Sequence, residues 1–475
     1  MKKIVLVLTV SFFAVSVYAQ NSTQNEYEEW KPSQDVYGHF DIGKFKTPDI
    51  VRNQLEINFN FQSNNSINDY SYSDRDSRSD QSNLVGYISS YFSHYVNTRK
   101  KISTLIGSLS IEENKSNSKD KETVNNFTGI SKVSSLSQRN SLSLSWLNKW
   151  YFSKSIYLDY DMLSSISYLF SQDKTKNQSE DSNLKQKNFS FNISPQIGIG
   201  YGRIENVRDA RQVVYIANAL AKKMVLTRNL SDDELFELSK IISTVKNKRF
   251  LDARLRLIEE ITTLDAFFTD KDLLADNSAA YFTTLYDMWQ YGDNFPRNSG
   301  YEISFLVRPN YGYQNAKYTP NIQDIIFKTN QHEIGLNFGY EKPFKLKWQH
   351  STSAMVFGGI NSTSIKSKQM NDLNNNIKTI NASVNYSLGY YPNTRTHIQV
   401  TTRQQLLNTN YKDDRHSTEF FSSLGANLYY YFSPNLLLTG DCSLYYSPRR
   451  YKGYYANRDN RFSSSFFIRL TYLLF

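Results

Sequence analysis

A period of two, repeated fourteen times, constrains this chain more than any other feature. From Asn188 to Tyr201 the residues Phe189, Phe191, Ile193, Ile197, Ile199 and Tyr201 alternate with Ser190, Asn192, Ser194, Gln196, Gly198 and Gly200. Successive side chains of a strand point to opposite faces, so such a segment is a strand between two different solvents. The same pattern opens the series with Leu55, Ile57, Phe59 and Phe61. It recurs near 84–97, 101–113, 134–147, 154–170, 299–312, 329–341, 344–361, 377–391, 395–408, 418–433, 435–447 and 460–474.

The composition is hard to reconcile with a water-soluble domain. Hydrophobic residues make up only 39%, yet there are 35 Tyr and 30 Phe. Beyond the N-terminus no apolar run is long enough for a membrane-spanning helix, which needs roughly 18 residues or more. A membrane barrel resolves the conflict, because only alternate strand residues face lipid while polar loops dilute the average. The expected fold class is therefore an all-β transmembrane antiparallel barrel of about fourteen strands, an even number as a single-chain bacterial barrel requires. Connections alternate between long segments rich in Asn, Ser, Asp and Lys (63–83, 114–133, 171–187, 313–328, 362–376, 409–417, 448–459) and short ones such as Lys342-Pro343. Long outer loops and short periplasmic turns have this pattern. Trp150, Tyr151, Phe152, Tyr390, Tyr391 and Tyr431 crowd the short turns, as an interfacial girdle does.

Met1 to Ala19 reads as a cleaved signal peptide, with Lys2 and Lys3 before an apolar core and Val17-Tyr18-Ala19 as the processing site. Residues 20–51 are a periplasmic N-terminal segment or a plug, and 52–203 hold strands one to six. Residues 204–297 change period to 3.6, and 298–475 hold strands seven to fourteen. With a periplasmic N-terminus, an insertion after strand six falls on the periplasmic side. The expected location is the bacterial outer membrane, and the apolar alternation into Phe475 resembles the C-terminal signal of outer-membrane proteins.

Within the insertion, Val213, Ile216, Ala217, Leu220, Ala221 and Met224 form one helical stripe. Ser231 with Glu234 forms a capping box ahead of Leu235, Leu238, Ile241, Ile242 and Val245. A third helix over about 248–268 offers Leu251, Leu255 and Ile258 on one line and Phe250, Leu257, Ile261 and Leu264 on another. A fourth, opened by Ser278, carries Phe282, Leu285 and Trp289. Four such helices can bury a small core of their own, so a separate small periplasmic α-helical domain is expected. A re-entrant loop folded into the lumen is the alternative.

No residue is assigned a catalytic role. The six His are scattered without metal-ligand spacing, no phosphate-binding or metalloprotease motif occurs, and no cofactor is expected. His397 could lie near Asp441, which falls short of a triad. Cys442 fits a small lipid-facing position. The net charge of +10 is scattered, fitting contact with outer-membrane lipid and giving no argument for nucleic acid. Charged residues in lumen phase are the candidate channel lining: Glu56, Asp159, Asp161, Glu302, Arg308, Glu333, Arg395, His397, Arg403, Asp441 and Arg469. Closed-lumen ion pairs explain them equally well. Gly198, Gly200 and Gly202 are small residues facing a crowded wall. On the insertion, Arg208, Arg211, Arg249, Asp252, Arg254 and Arg256 are candidate surface residues for a periplasmic protein or the cell wall, or else solvated helix faces.

The Ala19-Gln20 junction, the Tyr- and Asn-rich strands, and the runs Gly202-Arg203-Ile204-Glu205, Asp209-Ala210-Arg211 and Asn247-Lys248-Arg249-Phe250-Leu251-Asp252-Ala253-Arg254 carry a resemblance. It is to Bacteroidota outer-membrane β-barrel proteins with a periplasmic helical insertion. That resemblance implies location and architecture and transfers no catalytic residue. The expected function is a porin-like channel for small polar solutes. The alternatives are a barrel that anchors the helical domain against a periplasmic partner and, last, an outer-membrane hydrolase.

Overall fold

The structure is a computed structural model. It describes residues 36–72, 75–124, 127–177, 181–247, 257–275, 278–292, 295–319, 323–367, 373–412, 415–433, 435–452 and 458–472. The expected signal peptide lies outside them. The chain falls into two compact units, Met1–Gly38 and His39–Phe475, and every strand and helix belongs to the second.

Fourteen strands form one antiparallel sheet in which each pairs with its neighbours in sequence. They are β1 Ile50–Tyr72, β2 Arg75–Asn97, β3 Lys101–Val124, β4 Phe127–Tyr151, β5 Ile156–Lys176, β6 Asp181–Asn206, β7 Asn298–Thr319, β8 Gln323–Phe344, β9 Trp348–Ser367, β10 Leu373–Tyr390, β11 Thr396–Tyr411, β12 His416–Ser433, β13 Leu436–Lys452 and β14 Arg458–Tyr472. This is the fold of an outer-membrane-type antiparallel β-barrel with a helical insertion between β6 and β7. Among the described residues β1 pairs with β2 alone and β14 with β13 alone, and both are exposed along most of their length.

The sheet wears its apolar side chains outward. Phe59 is 76% exposed, Ile199 64%, Phe466 73% and Ile468 61%. The largest buried side chains, by contrast, include Arg211, Arg297 and Lys246. A soluble protein does not present a continuous apolar band of this kind. A lipid-facing wall does.

The strands run well past the alternating segments. The stretches expected as long loops are mostly ladder; for example, Ser63 pairs with Leu84 and Asn114 with Val85. Beyond the lipid both faces of a hairpin meet water. The apolar–polar contrast then vanishes while the backbone pairing continues, carried by Ser, Asn and Thr.

The insertion holds α1 Arg208–Lys222, α2 Asp232–Asn247, α3 Leu257–Asp270 and α4 Ala279–Tyr291. Val213, Ile216, Leu220, Leu235, Ile242, Leu264, Phe268 and Leu285 are fully buried between them. The capping box is present: Ser231 N–H donates to Glu234 Oε2 at 2.8 Å and Glu234 N–H to Ser231 Oγ at 3.3 Å. Met224, Ile258 and Phe282 depart from the helical stripes, the last being 41% exposed. Met224 lies past the end of α1 with φ 55° and is 85% exposed, and Ile258 is 81% exposed. The region 248–256, expected to open the third helix, lies outside the described residues. Arg249, Asp252, Arg254 and Arg256 lie there too.

Polar groups also converge inside this bundle. Lys246 Nζ donates to Asp209 Oδ1 at 2.8 Å and Gln212 Oε1 at 2.6 Å. Trp289 Nε1 donates to Glu260 Oε2 at 3.1 Å. Buried charges persist only when partnered, and here α1, α2, α3 and α4 each supply a partner. The expectation that Arg211 is a surface residue is corrected: it is 1% exposed. Its guanidinium donates to Phe295 O at 2.9 Å and Gly292 O at 3.3 Å. Arg208, at the first position of α1, is half-buried.

Candidate functional site

Two ladder interruptions mark a site inside the wall. Between β6 and β7 the pairing stops at Ile193–Tyr311 and resumes at Ile197–Val307, and Pro195 and Pro309 fall opposite one another in the gap. Proline has no N–H for a ladder. Between β4 and β5 the pairing stops at Trp146–Met162 and resumes at Lys149–Asp159. There the Asn148 N–H donates instead to the Asp161 carboxylate at 2.8 Å.

A cavity of about 370 Å³ opens beside these gaps, lined by residues of β3 through β9. On one wall Gln196 Nε2 donates to Asp159 Oδ1 at 3.1 Å and to Asp161 Oδ2 at 2.9 Å. Ser103 Oγ donates to Asn148 Oδ1 at 2.6 Å, extending the chain of bonds to β3. Neither aspartate forms an ion pair among the described residues. Lys149 bonds to Glu302 at 2.5 Å and lies 5.3 Å from the Tyr157 ring centre. On the adjacent strand β7, one position beyond the Ile197–Val307 pair and so facing Gln196, the Arg308 guanidinium sits 3.5 Å from the Phe357 ring centre. Its contact with Glu333 is a loose 3.5 Å, and its Nε has no hydrogen-bond partner. Leu147, Leu306 and Met355 supply apolar lining. The crowded wall expected around the glycines is real: a Cβ on Gly200 would fall 2.1 Å from the Tyr157 ring.

The strand end that carries the short turns is covered. Arg297, fully buried, donates to Leu346 O at 2.8 Å, Trp348 O at 2.8 Å, Lys345 O at 3.3 Å and Gln349 Oε1 at 3.0 Å. It thereby clamps the β8–β9 turn. Phe295 lies 4.9 Å from His397, 6.2 Å from Tyr429 and 6.0 Å from Tyr431 between ring centres. Those three residues occupy the inward phase of β11 and β12, since Ile398, Leu428, Tyr430 and Phe432 point outward and are exposed. On the other side of the mouth, Glu205 sits between Arg99 at 2.7 Å and Arg203 at 3.2 Å. Arg99 also donates to Thr47 O at 2.8 Å, and Thr47 Oγ1 to Asn206 O at 2.9 Å. Residues 39–49 thus cross this end, with the Phe40 ring tilted against that of Phe236 of α2, 4.7 Å between centres.

The expected lining residues therefore separate. Asp159, Asp161 and Arg308 line the cavity, with Glu302 and Glu333 bonded to its cationic groups. Arg395 lies apart from the cavity. It precedes β11, donates to Asp287 of α4 at 2.9 Å and lies 4.1 Å from the Tyr291 ring. His397 is stacked between Tyr391 (4.3 Å, 9°) and Tyr429 (5.7 Å, 14°), with Asp441 two strands away on β13. Glu56 on β1 accepts from Gln54, and Arg403 donates to Gln405 at 2.8 Å. Arg469 lies 4.8 Å from the Phe467 ring. These three are exposed and apart from the cavity. Gln196, Lys149 and Arg297 escaped the sequence reading. The facing prolines flank the first, while the other two sit at strand ends where alternation fades. Among the described residues, no group of three or more His, Cys, Asp or Glu is placed to hold a metal ion.

No family model and no curated protein matches the chain. Among solved structures it is similar to the β domain of the Bordetella autotransporter BrkA (8% identity, 71% of this chain and 92% of that one, TM-score 0.26). It is also similar to the transport unit of the autotransporter AIDA-I from Escherichia coli (8%, 98% of each chain, TM-score 0.22). A third likeness is to CdiB from Acinetobacter baumannii (8%, 94% and 73%, TM-score 0.25). At these scores the likenesses bear on nothing further.

Proposed function

We propose that the chain is an outer-membrane, porin-like channel for small polar solutes, with its periplasmic mouth covered by the helical insertion. The outward apolar band supports the membrane setting, and the strand order supports a periplasmic position for the insertion. The seating of Phe295 among inward-facing His397, Tyr429 and Tyr431 carries the covering role. A linker held only at the rim would leave those side chains to solvent. The resemblance to Bacteroidota barrels with a helical insertion, and a cleaved signal peptide at Ala19-Gln20, belong to the same proposal. No catalytic step is part of it.

Planar-bilayer conductance tests it. The intact protein should conduct weakly or intermittently, and deletion of 208–291 or the substitution Tyr391→Ala should give larger, steadier currents. Silence in all three forms would defeat the channel reading.

A second reading has its own support. Ile258 is 81% exposed, Phe282 41% and Tyr286 43% on α3 and α4, which favours a barrel anchoring the bundle against a periplasmic protein or the cell wall. In that case Phe282→Ser with Tyr286→Ser would abolish the cellular phenotype while conductance stayed as in the parent.

A further inference from the structure

The cavity between β3 and β9 combines features that no single-charge ligand satisfies. Asp159 is 5% exposed; it and Asp161 adjoin one another and accept hydrogen bonds from the Gln196 amide and the Asn148 N–H. The nearby ammonium of Lys149 is engaged by Glu302 at 2.5 Å. Two adjacent carboxyl groups whose nearest cation, Lys149, is bonded to a third carboxylate are electrostatically undercompensated. In the same cavity, two strands from Asp161, Arg308 is backed by the Phe357 ring at 3.5 Å and held only loosely by Glu333, with Nε unpartnered. An inorganic cation would also meet the positive Arg308 and Lys149. A simple anion would meet the aspartates. A dipolar molecule meets neither penalty.

We infer that this cavity binds a small solute bearing both an ammonium and a carboxylate group, such as a free amino acid with an apolar side chain. Asp159 and Asp161 receive the ammonium, and Arg308 the carboxylate, as guanidinium geometry favours. Leu147, Leu306 and Met355 cover the apolar portion. At about 370 Å³ the space lies near the small end of the range for ligand pockets, roughly 300–1,000 Å³. The inference rests on the channel reading to the extent that solutes must reach the lumen.

The test is equilibrium dialysis of labelled leucine against the full chain in detergent or lipid nanodiscs, with conductance recorded on the same preparation. Leucine should bind saturably. Leucine amide, which lacks the carboxylate, and N-acetylleucine, which lacks the ammonium, should each bind at least tenfold more weakly. Asp161→Asn and Arg308→Gln should each weaken leucine at least tenfold, whereas Arg403→Gln, outside the cavity, should leave it unchanged. The two analogues test the intact protein, so the inference stays falsifiable if a variant fails to fold. Equal binding of all three compounds, or no leucine binding by a protein that conducts ions, would overturn the inference and leave the channel standing. Saturable, charge-dependent binding without conductance would uphold the site and defeat conduction.

Discussion

The guanidinium carbon of Arg297 lies 4.6 Å from the centre of the Tyr391 ring. Arg211 approaches the same ring at 5.2 Å, while His397 stacks on it at 4.3 Å. Helix α1, the linker into β7, and strands β10 and β11 therefore meet on one aromatic side chain. Burial, with the neighbouring Arg211 charge second, lowers the Arg297 pKa to about 10, so the group remains protonated at neutral pH. Its charge is met by carbonyl oxygens and aromatic faces.

Arg297→Ala should release the insertion from the barrel. It would leave the Leu346 and Trp348 carbonyls without their donor, and a hydrogen bond to a charged group contributes about 1.5–3 kcal/mol. Hydrogen exchange across 208–291 should accelerate by more than tenfold, with the strands of β3 to β6 unaffected. Unchanged exchange would show that the contact does not hold the insertion.

Glu234 carries a pH signature. Two hydrogen bonds from Arg228, at 2.9 and 2.8 Å, and bonds from Ser231 lower its pKa to about 2. A carboxylate with a depressed folded-state pKa stabilises the fold fully above its unfolded value, near 4.5, and that stabilisation is lost as pH falls toward 2. Glu234→Gln should therefore destabilise the bundle by about 1 kcal/mol at pH 7, the usual scale of a lost cap. The difference should shrink below pH 4 and vanish near pH 2. Thermal melts of the helical signal from pH 2 to 7 would measure it, and a difference independent of pH would contradict the assignment.

Lipid exposure is testable residue by residue. Ile199 is 64% exposed on the outer face of β6. Arginine there should cost about 2–4 kcal/mol of folding stability in bilayers if the site lies near the midplane. Ser190→Arg, on the inner face, should cost less than half as much. Urea titrations in vesicles would compare them, and equal costs would deny the lipid-facing role.

Among the described residues, strands β1 and β14 have no partner on their outer backbone edges. Each unsatisfied peptide group in hydrocarbon costs several kcal/mol, so in a bilayer the two margins should pair. In a Cys442→Ser background, cysteine at Gln54 scanned against cysteines at Phe467 to Thr471 should give one strongly favoured disulfide. Absence of cross-linking throughout the scan in membranes would mean that the margins stay apart.

Strand number and the order of elements were legible because lipid imposes alternation wherever a strand crosses it. The strand ends were not, because Ser- and Asn-rich hairpins such as β1–β2 are wet on both faces and carry no contrast. Asp159, Asp161 and Arg308 were legible as inward charges. That they share one cavity depends on sheet curvature across β3 to β9, which no local pattern encodes. Arg395 keeps the phase of β11 one residue before that strand, and its partner there, the Asp287 carboxylate of α4, lies 108 residues away along the chain. Arg211 looked like a surface charge because its partners, the Phe295 carbonyl and the Tyr391 ring, lie 84 residues or more along the chain.

Single-channel conductance of the refolded full chain beside Tyr391→Ala is the most direct measurement. A polar lumen covered by the insertion should give small or flickering currents in the parent and larger, steady currents in the variant. Identical large currents in both would contradict the covering role, and silence in both would contradict the channel.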